Sequence, residues 1–331
     1  MLRSRATPRP SPGNVRSRGG DSGTGRVGCV PVTGSTLPDP ARYVPVRPGP
    51  LKMQAGLRKF PEDFGNGPAD TRIFQRDVEV RRYLADKGRP AREDGRAPRA
   101  RAWVTDDAGD REVLDAALAW TADRAAQDIA GFEVRRDAVA RLDPLEALDA
   151  LAMHLQEDLA ILRLHEDGRH RLVAGHVCFP SGWRPERLVG ASFDEIHRPV
   201  PEFADDPRAS TSMARSMVER GPYVRFVWTV SADDVLDHHP EDGVRAPIPG
   251  ASQLWLRVER QLTVPFPQVG GSLFVIRTFL YPVASLTASQ RADLRDAMGA
   301  MPETLAAYKG LAAGRATILD CLGHLAALDD V

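Results

Sequence analysis

The spacing of apolar residues changes character twice along the chain. Residues 72–88, RIFQRDVEVRRYLADKG, mix apolar and charged positions at helical spacing and predict a helix from Ile73 that stops at Gly88. A polar linker, RPAREDGRAPRAR, follows over residues 89–101. In residues 110–134 the positions Val113, Leu114, Leu118 and Trp120 recur near a 3.6-residue period and predict a long amphipathic helix. A further helix is expected over residues 142–158, with Asp143 as N-cap and Pro144 in the first turn.

After that the period shortens to two. LAILRLHEDGRHRLVAGHVCFP reads as strand, turn and strand around Asp167-Gly168, and further strands are expected in YVRFVWTVS, LWLRVERQLTVPF and SLFVIRTFLYPV. The last two are joined by PQVGGS, a loop of hairpin length. FDEIH and SMARSMVERG are helical pieces between the second and third strands, and three helices close the chain in TASQRADLRDAMGAM, PETLAAYKG and TILDCLGHLAAL. No alternation of strand and helix suggests a parallel sheet, and no glycine-rich nucleotide motif or internal repeat is present. The expectation is an α+β fold with about five mostly antiparallel strands and inserted helices, in an order that resembles a PAS-type sheet. Such a sheet can hold a flat prosthetic group between its concave face and the inserted helices.

Composition alters this picture mainly at the start. Residues 1–52 are rich in Arg, Ser, Pro and Gly and lack periodicity, which predicts a disordered tail, a transit segment, or a start placed ahead of Met53. On that reading residues 1–52 are dispensable and residues 53–331 form a single domain. A formal net charge of −1 gives no reason to expect nucleic acid as a partner, and no apolar run of about 18 residues points to a membrane. Cys29, Cys178 and Cys321 are scattered without a CxxC pair, so a disulfide framework, a zinc knuckle or an iron–sulfur cluster held by this chain alone is not expected, and a reducing cytoplasm fits.

Several residues carry two readings each. Alternation puts Arg260 on an apolar strand face with Leu256, Val258 and Leu262, while Arg257 and Glu259 share the other face. Arg277 shares a face with Leu273, Val275 and Phe279. A buried arginine needs an anion: either a protein carboxylate or a ligand such as a propionate. Glu157 sits where a helix gives way to a strand, either as a solvated junction or as a carboxylate gripping an amine or relaying protons. Trp183 either covers a pocket or anchors the core, and Cys178 reads as a small buried hydrophobe. His197, followed by Pro199 and Pro201, is either a helix cap or a pre-oriented ligand. With no second His or Cys at the next helical turn, a lone ring suits haem, where the porphyrin supplies the other ligands.

FPEDFGNGPADTRIFQRD, QEDLAIL, VCFPSGWRPERLVGASFDEIHRPVPEF, LWLRVERQ and FVIRT occur in that order over about residues 57–310. Together they resemble the haem-dependent oxidative N-demethylase alpha-subunit-like family, which includes dimethylamine monooxygenase subunits. The resemblance implies haem b bound through His197 and oxidation of an N-methyl group with dioxygen, releasing formaldehyde from a small methylated amine. It also implies electrons from NADPH through a separate subunit carrying FMN and a 2Fe–2S cluster, and it leaves room for a homodimer. Within it, Arg260, Arg257 and Trp183 are candidate haem contacts, and Glu157, Arg260 and Arg277 candidate catalytic groups. Arg187 and Leu188 depart from the lysine-containing stretch expected there. A PAS-like haem or small-molecule sensor and a non-catalytic oxidase subunit are the competing readings.

Overall fold

A computed structural model describes residues 43–51, 56–88, 102–105, 107–201, 207–242 and 253–329. The tail up to residue 42, Met53 and the linker of residues 89–101 lie outside the described residues. Among the described residues, seven strands form one open antiparallel sheet: β1 (Arg58–Lys59), β2 (Ala102–Val104), β3 (Asp158–Leu164), β4 (His170–His176), β5 (Tyr223–Ser231), β6 (Trp255–Phe266) and β7 (Gly271–Pro282). Their order is β1-β5-β6-β7-β3-β4-β2. The described residues also form nine helices around the sheet: α1 (Val80–Lys87), α2 (Ala108–Asp128), α3 (Arg136–Val139), α4 (Pro144–Ala152), α5 (Phe193–His197), α6 (Pro207–Glu219), α7 (Ala288–Ala300), α8 (Glu303–Tyr308) and α9 (Arg315–Asp329). The fold is α+β, as the periodicity implies. The two strands beyond the expected five are edge pieces of two and three residues, too short to show an alternation.

Local chemistry sets the boundaries. Asp143 caps α4 by accepting from the Leu145 and Glu146 amides at 2.9 and 3.1 Å, with Pro144 in the first turn. The β3–β4 hairpin turns at Gly168, whose φ of +77° is left-handed, and the β6–β7 hairpin turns at Gly270, with φ of +65°. α2 approaches the start of β7 so closely that a Cβ on Gly271 would collide with Val113. β6 and β7 are paired over their full twelve-residue lengths and form the spine of the sheet.

The two faces of the sheet differ. The first face carries Leu159, Ile161, Val224, Leu262, Val264, Leu273 and Val275 against α2 and α4, and Val258, Leu256 and Phe279 against α7 and α9. Part of the second face packs against α5 and α6. Ala160, Leu162 and Leu172 meet Phe193 of α5 and Ala214 and Met217 of α6.

Two expectations need correction. The helix expected from Ile73 begins only at Val80. The Ile73 and Phe74 amides donate to Asp128 Oδ2, the Gln75 amide to Glu157 Oε1 and the Asp77 amide to Gln156 Oε1, at 2.8–3.1 Å. Side chains from elsewhere therefore take the amides that a helix would use internally, and the segment stays non-helical. The folded body also extends back at least to Tyr43. Tyr43 and Val46 are buried, and the Tyr43 hydroxyl donates to Asp70 at 2.8 Å and accepts from Gln75 at 2.9 Å. Residues 43–51 thus do not belong to a dispensable tail.

A chain starting at Met53 would lose both buried side chains, each worth about 1.5–3 kcal/mol. Thermal unfolding of that truncated protein should fall by at least about 5 °C. An unchanged melting temperature would mean that residues 43–51 contribute nothing to the core.

Candidate functional site

The structure sorts the sequence candidates by sheet face. Arg260 and Arg277 are direct cross-strand neighbours on the first face, and Glu157 lies beside them; all three are fully buried. Arg260 donates to the carbonyl oxygens of Arg72 and Ile73 at 2.8 and 3.2 Å and lies over the rings of Tyr43 and Phe60. Arg277 pairs with Asp77 at 2.8 Å and stacks on Tyr83, its guanidinium carbon 3.9 Å from the ring centre. Its field, together with bonds from Gln156 and Glu79, holds the Asp77 carboxyl below the usual range in spite of burial. Glu157 is pushed up by desolvation, which the charge of Arg277, the Gln75 amide and the charge of Lys87 oppose only in part, and its Oε2 has no hydrogen-bond partner. The three are therefore one internal charge cluster that ties the non-helical Arg72–Asp77 segment to the sheet.

His197 is on the other side. Ser192 and Glu195 form a capping box that starts α5, and the helix ends on His197. The imidazole packs against Phe193 with ring centres 4.1 Å apart and planes tilted by 39°, and Nδ1 lies 2.8 Å from the Phe193 carbonyl oxygen. A carbonyl can only accept, so Nδ1 carries the proton and Nε2 the lone pair. Burial, helped by the charge of Arg225, lowers the His197 pKa to about 4, so the ring is neutral at ordinary pH. A hydrogen bond on one ring nitrogen that fixes the lone pair on the other is the arrangement metal-binding histidines use.

The second face also carries a row of polar residues. Alternation places Arg225, Val227 and Thr229 of β5, Glu259 and Gln261 of β6, and Ile276 and Thr278 of β7 on the second face. Arg225 Nε donates to Gln261 Oε1 at 2.7 Å, and Gln261 Nε2 donates to Glu259 Oε2 at 2.8 Å. Thr229 Oγ1 is buried without a hydrogen-bond partner. Lys309, just beyond α8, donates to the Trp228 carbonyl at 2.7 Å; burial lowers its pKa to about 8, against the pull of Glu259. His170 lies at the same end as Phe193, its Nε2 against Ser272 Oγ at 3.2 Å and its Nδ1 without a partner.

Of the expected haem contacts, Arg257 shares this face but is committed to the fold. It donates to Ser181 Oγ at 2.6 Å, to the Phe179 carbonyl at 2.9 Å and to the Val235 carbonyl at 3.4 Å, clipping the Cys178–Gly182 turn onto β6. Trp183 follows that turn and is half-buried. Arg260, Arg277 and Glu157 are separated from His197 by the sheet itself, which removes the geometric basis for roles beside a group held by that ring. Arg225 and Glu259 were the residues missed. The signal was available, because the same two-residue alternation puts Arg225 and Glu259 on the face opposite Arg260.

The donor set fits an iron porphyrin: a neutral imidazole with a directed lone pair, a cation for acidic side arms, and an unsatisfied hydroxyl on the floor. Residues 121–319, more than half of the chain, match the family described as haem-dependent oxidative N-demethylase, alpha subunit-like. The chain belongs to that family. Among the described residues, no helix is long and apolar enough to cross a membrane.

Two buried histidines set a pH dependence for the haem-free protein. His197 and His170 both fall from the ordinary 6.5 to about 4 through burial. Between those values the unfolded chain binds protons that the folded chain does not, so stability should be full above about pH 6.5 and fall as the pH drops toward 4. Each histidine contributes a slope of at most about 1.4 kcal/mol per pH unit. Denaturant titrations at several pH values should show a shallower acid limb in His197→Gln than in the parent; equal slopes would place the ring in water.

Proposed function

We propose that this chain is the haem-carrying catalytic subunit of an oxidative N-demethylase. On this reading His197 Nε2 holds the iron of haem b over the second sheet face, and Arg225 faces its acidic side arms. The central strand order β5-β6-β7-β3-β4, with α5 and α6 inserted after β4, supports a PAS-like pocket. The observation that carries the reading is the His197 ring: neutral, tautomer fixed by the Phe193 carbonyl, and close enough to Arg225 to feel its charge, in a member of this family.

Bound haem would supply activation of dioxygen for oxidation of an N-methyl group, with formaldehyde and the shorter amine as products. The protein supplies position and charge. A methylated amine is a cation at neutral pH, and the Glu259 carboxylate is the anion on the His197 side, held by Gln261. We assign it the task of binding the substrate ammonium and accepting its proton at a carboxylate oxygen. This role was expected of Glu157, which lies on the wrong face and is fully enclosed. Val227 and Ile276 form the apolar part of the same floor, suited to methyl groups. Electrons would come from a separate reductase subunit bearing FMN and a 2Fe–2S cluster and using NADPH.

His197→Ala should give folded protein that has lost most of its haem, measured as pyridine haemochromogen, whereas His170→Ala should keep it. Glu259→Gln should leave the haem spectrum unchanged and weaken amine binding by about tenfold, equivalent to about 1.4 kcal/mol, read from substrate titration and formaldehyde release. Full haem loading in His197→Ala, or unchanged amine affinity in Glu259→Gln, would overturn the respective assignment.

A further inference from the structure

At the far end of β3 and β4 from His197, three side chains of different chemistry converge. Asp158, His176 and Cys178 each present a ligand atom, and these atoms all lie within 4.8 Å of one another. Asp158 and His176 are buried and Cys178 is half-buried, so the group opens to solvent on the sulfur side. The topology makes this meeting inevitable: Asp158 begins β3, His176 ends the adjacent antiparallel β4, and Cys178 sits in the turn that Arg257 clips down. We propose that Asp158, His176 and Cys178 bind a zinc ion, distinct from the haem position.

The details favour a site over a chance cluster. His176 Nδ1 is 3.9 Å from Cys178 Sγ, while Nε2 is 3.1 Å from Asp149 Oδ1. With the proton on Nε2 held by that carboxylate, the Nδ1 lone pair is directed at the space beside the sulfur. This carboxylate–histidine relay is the usual outer shell of a zinc ligand. Zn–S near 2.3 Å and Zn–N near 2.05 Å at a tetrahedral angle require a sulfur–nitrogen separation of about 3.6 Å. The observed gap closes with a small ring or thiol rotation.

Asp158 is already engaged, and the engagement is compatible. Its Oδ1 and Oδ2 accept the amides of Cys178 and Phe179 at 3.1 and 2.8 Å, which fixes the carboxylate while each oxygen keeps further acceptor capacity. Lys87 lies 3.4 Å from Oδ1, but its ammonium also donates to the carbonyls of Ala152 and Glu157. Those acceptors allow Lys87 to stay in place beside a metal. The formal charges then balance: zinc and Lys87 against Asp158, Asp149 and a Cys178 thiolate. Three protein ligands leave one tetrahedral position for water or another small donor.

The test uses full-length protein as purified, equilibrated with zinc and desalted. One equivalent of zinc should be retained, and X-ray absorption at the zinc edge should show one sulfur among nitrogen and oxygen neighbours. Cys178→Ser should abolish the sulfur signal and lower zinc affinity at least tenfold. Asp149→Asn, a change at a half-exposed side chain that should not disturb folding, should weaken zinc 10–100-fold while keeping the sulfur. Bound zinc should also protect Cys178 from alkylation by iodoacetamide. Zinc retained with only nitrogen and oxygen neighbours, affinity unchanged in Cys178→Ser, or no retention above that variant would each overturn the proposal. None of these readouts depends on haem or turnover.

Discussion

Two buried guanidinium groups organise this molecule. Arg260 and Arg277 stand opposite each other in the spine of the sheet, where water cannot reach them. Buried cations are tolerated only with acceptors and a counter-charge in place. The Arg72–Asp77 segment provides both: its carbonyls receive Arg260 and its Asp77 pairs with Arg277. That duty keeps the segment out of a helix, recruits Asp128, Gln156 and Glu157 to its amides, and leaves Gln75 to donate to the Tyr43 hydroxyl. Removing either arginine would strand a charge or carbonyls in the core, a loss of about 3–5 kcal/mol when a buried pair is broken.

A first face closed so completely leaves the chemistry to the second. There Arg225, Gln261 and Glu259 form a hydrogen-bonded chain on the face that α5 and α6 pack against. The division explains why the same sheet carries arginines with opposite duties. Arg257, Arg260 and Arg277 have carbonyls, hydroxyls and carboxylates of the fold as partners, and Arg225 donates to Gln261 on the second face. The chain's membership in the haem-dependent oxidative N-demethylase, alpha subunit-like family is the reason for placing the proposed haem on that second face.

Much of this was legible in the residue pattern. The capped helix after Asp143, both hairpins, the helical insert after the second strand and the closing helices follow from periods and turn residues. The helix expected at Ile73 did not form, because its period was right but its amides were claimed by acceptors distant in sequence. β1 and β2 were invisible, being too short for alternation to register. For the site, His197 stood out through its neighbours, and alternation correctly excluded Glu259 as the partner of Arg260. What sequence could not provide was the alternative partner, two backbone carbonyls, since any residue carries those. The inference from an absent carboxylate to a ligand therefore overlooked that Arg260 already has two backbone acceptors within the fold.

The central claim is that His197 is the protein ligand to haem iron, and chemical rescue addresses it most directly. His197→Gly should give protein whose haem binding and Soret absorption are lost or altered, and added imidazole should restore the parent spectrum by filling the vacated position. A parent-like spectrum in His197→Gly without imidazole would contradict the claim.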